Sequence, residues 1–120
     1  GAGAHLTFNF VDVDPYGSPW EAIRAYFSSE RPFARRMVLV VNDGLRKRAG
    51  MTAWHIDILA PWIEKYGNHN MFRAYPQIVP ELLGELAGAT GHEVKHFDYT
   101  TTGWNAQMLH YLAVLERGGA

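Results

Sequence analysis

The feature that most constrains this chain is the stretch from residue 11 to residue 20, where a strand pattern changes directly into a helix start. Residues 6–10 are rich in aromatic and β-branched side chains, which is typical of a buried strand. Ser18 suits an N-cap, Pro19 suits the first helical position, and Glu21 completes a Ser-x-x-Glu capping box. The residues in between are therefore predicted to form a sharp turn at the carboxyl end of a strand, where ligands bind in open α/β sheets.

This turn combines hydrogen-bond acceptors with a flat ring. Pro15 fixes its own φ, biases Asp14 towards an extended conformation and offers only its carbonyl group. The Asp14 carboxylate adds a charged acceptor, Tyr16 adds an aromatic face, and Gly17 lets the chain turn without a Cβ clash. Such a cup predicts a site for an amino group on a flat heterocycle. An ordinary βα connection is the alternative, because Asp and Pro favour turns in any case.

The turn resembles motif IV of the class I S-adenosylmethionine-dependent methyltransferases that modify exocyclic amines, and here it reads Asp14-Pro15-Tyr16-Gly17-Ser18-Pro19. With Asp12 included, the run is most similar to the tRNA guanine-N2 dimethyltransferases, which usually carry Phe where this chain has Tyr16. A short element of the same family, Lys-Tyr-Gly, is similar to Lys65-Tyr66-Gly67.

The resemblance implies methyl transfer from S-adenosylmethionine to an exocyclic amine of a nucleic-acid base, most readily guanine N2 in tRNA. Asp14 and the Pro15 carbonyl would accept the N–H bonds of the amine and border the cofactor, and Tyr16 would stack on the base. These three residues are the catalytic candidates, and Gly17 joins Tyr16 on the substrate side. The target base would have to be flipped or unpaired.

The same resemblance implies an α/β fold, namely the second half of a Rossmann-like methyltransferase fold. Its three layers would contain a mostly parallel sheet with a C-terminal antiparallel hairpin, and the strand order would be first, second, last, third. Residues 1–4 are glycine-rich, but no strand precedes them and no helix follows, so we do not interpret them as the cofactor loop. We expect one domain, 1–120, that lacks this loop, and it is open whether the chain alone is active.

Hydrophobic periodicity predicts the other elements. The first strand, 6–13, is expected to be central and covered on both faces, because both of its faces carry apolar residues. We further predict a helix at 19–28, a buried parallel strand at 37–41, a helix at 52–66 kinked at Pro61, a helical region at 71–89 interrupted by Pro76 and Pro80, an alternating edge strand at 93–100 and a last strand at 107–115. The last assignment rests on the resemblance, since the spacing also permits a helix.

The end of the second strand is expected to lie beside the turn, because a right-handed crossover places consecutive parallel strands together. Asn42 and Asp43 would then border this turn, with Asn42 on the substrate side, although Asn42-Asp43-Gly44 is also an ordinary turn signal. The basic run Arg46, Lys47 and Arg48 follows on a loop or helical turn. It either contacts nucleic-acid phosphates or is a solvated surface.

Composition restricts the remaining possibilities. The chain has 120 residues, 48% of them hydrophobic, which is enough for the core of one small domain. Its net charge of −1 creates no strong field for a polyanion, and its apolar runs are too short to span a membrane. It contains no cysteine, which rules out disulfides and thiolate metal sites and fits a cytoplasmic protein. RNA is the expected partner.

Two alternatives concern metals and assembly. His92, His96 and Asp98 are close in sequence, but they do not form a helical ligand pattern, so we predict no metal site. The alternative function is a non-catalytic nucleic-acid-binding or assembly module that retains the methyltransferase scaffold. A half-domain would expose a sheet edge, which favours a homo-oligomer or a complementing N-terminal half.

Overall fold

A computed structural model describes residues 8–13, 18–29, 33–49, 54 and 56–117 of the chain. This part forms strands and helices in the order β1 (Phe8–Val13), α1 (Trp20–Phe27), β2 (Arg36–Asp43), α2 (Leu45–Ala49), α3 (Ala60–Tyr66), α4 (Asn68–Ala87), β3 (His92–Thr102) and β4 (Met108–Arg117). Short 3₁₀ turns lie at Asp57–Leu59, Gly88–Thr90 and Trp104–Ala106.

The strands form one mixed sheet in the order β1-β2-β4-β3, which confirms the predicted order first, second, last, third. β1 runs parallel to β2, whereas β4 runs antiparallel to both β2 and β3. The prediction of a mostly parallel sheet is therefore wrong for the described strands, although the C-terminal antiparallel hairpin is confirmed. The reason is that β4 follows β3 after a short connection and then inserts between β3 and β2, so both of its neighbours are antiparallel.

Helices cover one face of this sheet. Along β2, Met37, Leu39 and Val41 are at most 1% exposed, and the residues between them are half-buried. Burial of such a side chain contributes about 1.5 to 3 kcal/mol. The inward stripe of α1 packs on this face, with Trp20 and Ile23 in the same cluster. The other described helices add Leu45, Trp62, Met71, Tyr75, Ile78, Val79, Leu82, Leu83 and Ala87 to this face.

The opposite face of the sheet, called here the open face, has no covering helix among the described residues. It contains Val38 and Val40, which are half-buried, Phe10, which is 62% exposed, and Leu112, which is 37% exposed. Two expectations are therefore wrong for this part of the chain. The layers number two rather than three, and β1 is an edge strand rather than a strand covered on both faces.

The proline predictions need correction. Pro61 lies in the first turn of α3 instead of kinking a longer helix, because a first-turn residue needs no N–H bond. α4 begins at Asn68 and continues without a break through Pro76 and Pro80. Its buried stripe packs on the core along its whole length, and this packing outweighs the bonds that the two prolines cannot make. In the described part, no helix is both long and apolar enough to cross a membrane.

Two smaller differences concern the start of α1 and the register of β3. Helix α1 begins at Trp20 rather than Pro19, and the Ser18 hydroxyl accepts the Trp20 N–H at 3.4 Å. In β3 the register shifts between Val94 and His96. Because this bulge inserts one residue, Val94 and Phe97 both pack on the core, whereas strict alternation assigned them to opposite faces.

Candidate functional site

The strand ends of β1 and β2 lie side by side. Val13 pairs with Val41, and β2 continues through Asn42 and Asp43 at the same edge of the sheet. Asp14, Pro15, Tyr16 and Gly17, the predicted catalytic and cofactor residues and the start of the substrate surface, lie outside the described residues. Their roles stay predictions. The chain is described again from Ser18, and α1 begins at Trp20, so segment 14–17 connects the carboxyl end of a strand to a helix start.

Asp43 is the centre of a buried hydrogen-bond network on the helix side. Its Oδ2 accepts from the hydroxyls of Tyr75 at 2.6 Å and Tyr111 at 2.9 Å, and its Oδ1 accepts from the Leu45 N–H at 2.9 Å. Trp20 Nε1 in turn donates to the Tyr75 hydroxyl at 2.6 Å. The network ties β2, β4, α1, α2 and α4 together. The turn signal at residues 42–44 did not reveal it.

Burial dominates the electrostatics of this network. It raises the pKa of Asp43 to about 6 from the ordinary value of 3.8, although the hydrogen bonds from Tyr75, Leu45 and Tyr111 favour the carboxylate. Burial and the Asp43 charge also raise the pKa of both tyrosines well above 10.0. A carboxyl group that titrates near neutrality is suited to acid–base work. Asp43 is however 0% exposed, and its oxygens face protein donors, so its role is to hold the strand end.

Arg46 holds two other segments together. Pro76 has no N–H to donate to the carbonyl four residues earlier, which is that of Phe72. Arg46 replaces the missing donor, since its Nε and Nη2 donate to the Phe72 carbonyl at 2.9 and 2.6 Å. Its Nη1 donates to the Ala106 carbonyl at 3.1 Å, and its guanidinium lies 4.2 Å from the centre of the Phe72 ring. This internal bonding explains how α4 tolerates a proline.

The predicted basic cluster therefore contains both a buried and an exposed side chain. The cluster lies on α2, which confirms a helical turn. Arg46 is only 6% exposed, and burial lowers the pKa of its guanidinium from its ordinary value, whereas Lys47 is exposed to solvent. The side chain of Arg48 lies outside the described residues. Among the described side chains of this cluster, Lys47 is the one exposed to solvent, and its contact with a phosphate stays a prediction.

A second polar chain lies on the open face. His110 of β4 contacts the Asn42 Oδ1 through Nδ1 at 2.7 Å and the Thr102 Oγ1 through Nε2 at 2.6 Å. With a proton on Nδ1, the ring donates to the Asn42 amide oxygen and accepts from the Thr102 hydroxyl. A groove of about 290 Å³ adjoins it, lined on the strands by Asn42, Thr100, His110 and their neighbours. Asn42 therefore lines a surface groove, and its place beside the substrate stays a prediction. Sequence reasoning missed His110 and Thr102.

The β3–β4 connection carries an exposed tryptophan on strained backbone. Trp104 is 81% exposed. Asn105 and Ala106 have φ angles of 57° and 55°, and Gly103 has a φ of 83°. A left-handed conformation costs a residue with a side chain about 1 to 2 kcal/mol. It persists when the surroundings impose it, and here the bond from Arg46 to the Ala106 carbonyl contributes to that constraint.

The remaining candidates have structural explanations. His92 is buried, its Nε2 donates to the Ala34 carbonyl at 2.7 Å, and its Nδ1 lies 2.7 Å from the Thr90 hydroxyl. Among the described residues, no three His, Asp or Glu side chains converge as a metal site. A larger groove of about 560 Å³ lies between α3 and α4, away from the strand ends.

Comparisons with models of known protein families and with curated proteins found no match to this chain. The functional argument therefore depends on the site. S-adenosylmethionine has the size of a drug-like ligand, and pockets for such ligands have about 300 to 1,000 Å³. The groove at Asn42 and His110, of about 290 Å³, lies at the lower limit of this range, and the described residues contain no glycine-rich loop between a strand and a helix. By themselves they do not fit the whole cofactor.

Proposed function

We propose that the chain is the amine-binding part of an S-adenosylmethionine-dependent methyltransferase that acts on an exocyclic amine of a nucleic-acid base, with guanine N2 in tRNA as the preferred target. The position of segment 14–17 carries the proposal. It follows the carboxyl end of β1, which pairs with β2 up to Val41, and it precedes α1 in the chain. A motif gains weight when it occurs in the strand-to-helix context that its chemistry needs.

The proposed chemistry is the orientation of a poor nucleophile. The lone pair of an exocyclic amine is delocalised into the base. Acceptance of its N–H bonds by the Asp14 carboxylate and the Pro15 carbonyl aims that lone pair away from the ring plane, while Tyr16 holds the base by stacking and Gly17 leaves room for it. Orientation of this kind contributes several kcal/mol to the barrier reduction. No step through the cofactor is assigned to the described residues.

The described residues support a substrate side at the same edge. Asn42 and His110 line the groove on the open face, and Lys47 is an exposed cation on the helix that follows β2. Lys47 is proposed to bind an RNA phosphate. Arg48 is given the same role only because it belongs to the basic run of the sequence. Arg46 acts indirectly, through the Phe72 and Ala106 carbonyls that it binds. The absence of cysteine fits a cytoplasmic RNA-modifying protein.

Completion of the cofactor site would come from a second copy of the chain or from a complementing N-terminal half. The open face supports this part of the proposal, because Phe10 and Leu112 expose apolar surface there. The same observation supports the second candidate function, a non-catalytic RNA-binding or assembly module. The two functions differ in one measurable property, the binding of S-adenosylmethionine.

The test is a calorimetric titration with S-adenosylmethionine at low and high protein concentration, followed by methylation of an unmodified tRNA transcript. We expect binding, and we expect Asp14→Ala to lower methyl transfer about 100-fold while RNA binding changes little. Asp57→Ala, which removes an exposed carboxylate on a 3₁₀ turn, is the matched control and should keep full activity. A folded chain that binds RNA but no S-adenosylmethionine at either concentration would rule out a cofactor site formed by this chain alone or between two copies of it, and would leave the complementing N-terminal half or the non-catalytic module.

A further inference from the structure

Trp104 is the most exposed of the large hydrophobic side chains that the structure describes. Its position at one end of the sheet supports a further proposal. The β3–β4 connection lies at the end of the sheet where β2 ends, since Asp43 pairs with Leu109 and Thr102 pairs with Met108. β1 is separated from β4 by β2 alone. Neighbouring strands are about 4.8 Å apart, so the start of β4 lies about 10 Å from the line of β1. Trp104 therefore lies at the same end of the sheet as the carboxyl ends of β1 and β2.

The connection holds its tryptophan firmly. Gly103, Asn105 and Ala106 all have positive φ angles, and the Ala106 carbonyl is bound by Arg46, which is itself buried. The Gln107 N–H also bonds the Trp104 carbonyl at 3.3 Å. The backbone that carries the ring therefore needs little rearrangement when a ligand packs on the indole, and this pre-organisation favours binding.

The surroundings of Trp104 distinguish between possible partners. Its sequence neighbours Gly103 and Asn105 are exposed and not apolar, and within the described part of the chain the indole ring has no aromatic neighbour. A stable protein interface needs about 800 Å² on each partner and a hydrophobic centre, which one ring at a hairpin end does not supply. A single planar heterocycle needs one exposed aromatic face, and Trp104 supplies that.

We propose that Trp104 is a stacking platform for an unpaired nucleobase next to the base that enters segment 14–17. The assignment rests on the proposed function and narrows its substrate class to a loop or single-stranded region of RNA, because a base inside a duplex has no free face for the indole. Lys47, exposed on the helix whose Arg46 anchors the connection, is suited to the accompanying phosphate.

The experiment measures the affinity of the full chain for a fluorescein-labelled single-stranded RNA and for the matched duplex, by fluorescence anisotropy over a range of salt concentrations. Trp104→Ala should weaken single-strand binding about 5- to 150-fold, the effect of one lost base–aromatic stack, and Trp104→Phe should restore most of it. The salt dependence should stay unchanged in both variants, since neither removes a cation. Gln77→Ala, which shortens an exposed uncharged side chain on α4, should bind within about twofold of the wild type.

Each outcome decides the assignment. Equal RNA affinity of Trp104→Ala and wild type overturns it and leaves the proposed function intact, because methylation and its dependence on Asp14 are measured separately. A Trp104→Ala variant that changes oligomeric state in sedimentation shows a contact between copies and also overturns it. If the wild type binds neither RNA nor S-adenosylmethionine, the proposed function fails as well. Equal affinity for single-stranded and duplex RNA contradicts the substrate class.

Discussion

Asn42 and Asp43 are neighbours in the chain, yet they lie in two different chemical environments. Successive side chains of a strand point to opposite faces. Asp43 enters the helix-covered side, where it is 0% exposed and accepts hydrogen bonds from Tyr75, Tyr111 and Leu45. Asn42 enters the open face, where it contacts His110 beside a groove. One strand end thus serves stability on one side and presents polar groups to a ligand on the other.

The two environments differ in what can replace a hydrogen-bond partner that has been removed. On the helix side, α1 and α4 bring Trp20 and Tyr75 against the strand, and water has no access to the network. On the open face the partners come from strands alone, and Thr102 is exposed. A broken hydrogen bond is costly where the donor stays buried, and it is nearly neutral where water takes the place of the partner.

The largest effect is expected for Asp43→Ala. The substitution leaves the hydroxyls of Tyr75 and Tyr111 and the Leu45 N–H without their acceptor in a dry interior. Because each such donor costs about 1 to 3 kcal/mol, the free energy of unfolding should fall by about 3 to 5 kcal/mol in urea titrations followed by circular dichroism. Asp57→Ala, on an exposed turn, should change it by less than about 0.5 kcal/mol. A loss below about 1 kcal/mol in Asp43→Ala would contradict the buried network.

The pH dependence of the free energy of unfolding should follow from the titration of Asp43. The pKa of Asp43 is raised to about 6 in the folded chain from 3.8, so the folded state binds the proton more tightly than the unfolded state. The resulting stabilisation is fully present below pH 3.8 and is lost as the pH rises through 6. Relative to Asp43→Asn, which does not titrate, the wild type should lose about 3 kcal/mol across this window. Parallel stability curves for the two proteins would show that burial does not govern this carboxyl group.

The smallest effect is expected for His110→Ala on the open face. Water should satisfy Asn42 and Thr102 after the imidazole is removed, so the free energy of unfolding should change by less than about 1 kcal/mol. The urea titration used for Asp43→Ala applies here too. A loss above about 2 kcal/mol would mean that this face is covered in solution, for example by a second copy of the chain.

Much of the fold could be predicted where the signal is local. The alternation in β3, the apolar run of β2 and the inward stripe of α1 each follow from a period that the side chains show. The strand order came from the family resemblance and is confirmed. The predictions failed at Pro61, Pro76 and the β3 bulge, where tertiary packing outweighs local propensity.

The sequence by itself determined the strand that leads into segment 14–17, the helix that follows it and the position of Asn42 at a strand end. These features depend on residues a few positions apart, whose backbone preferences are properties of the chain alone. Only the tertiary structure decided that Asp43 meets Tyr75 and Tyr111, which are 32 and 68 positions away. It also decided that Arg46 fills the bond that Pro76 leaves at Phe72. Such pairings depend on how α4 and β4 pack on β2, and no local period of the side chains encodes that packing.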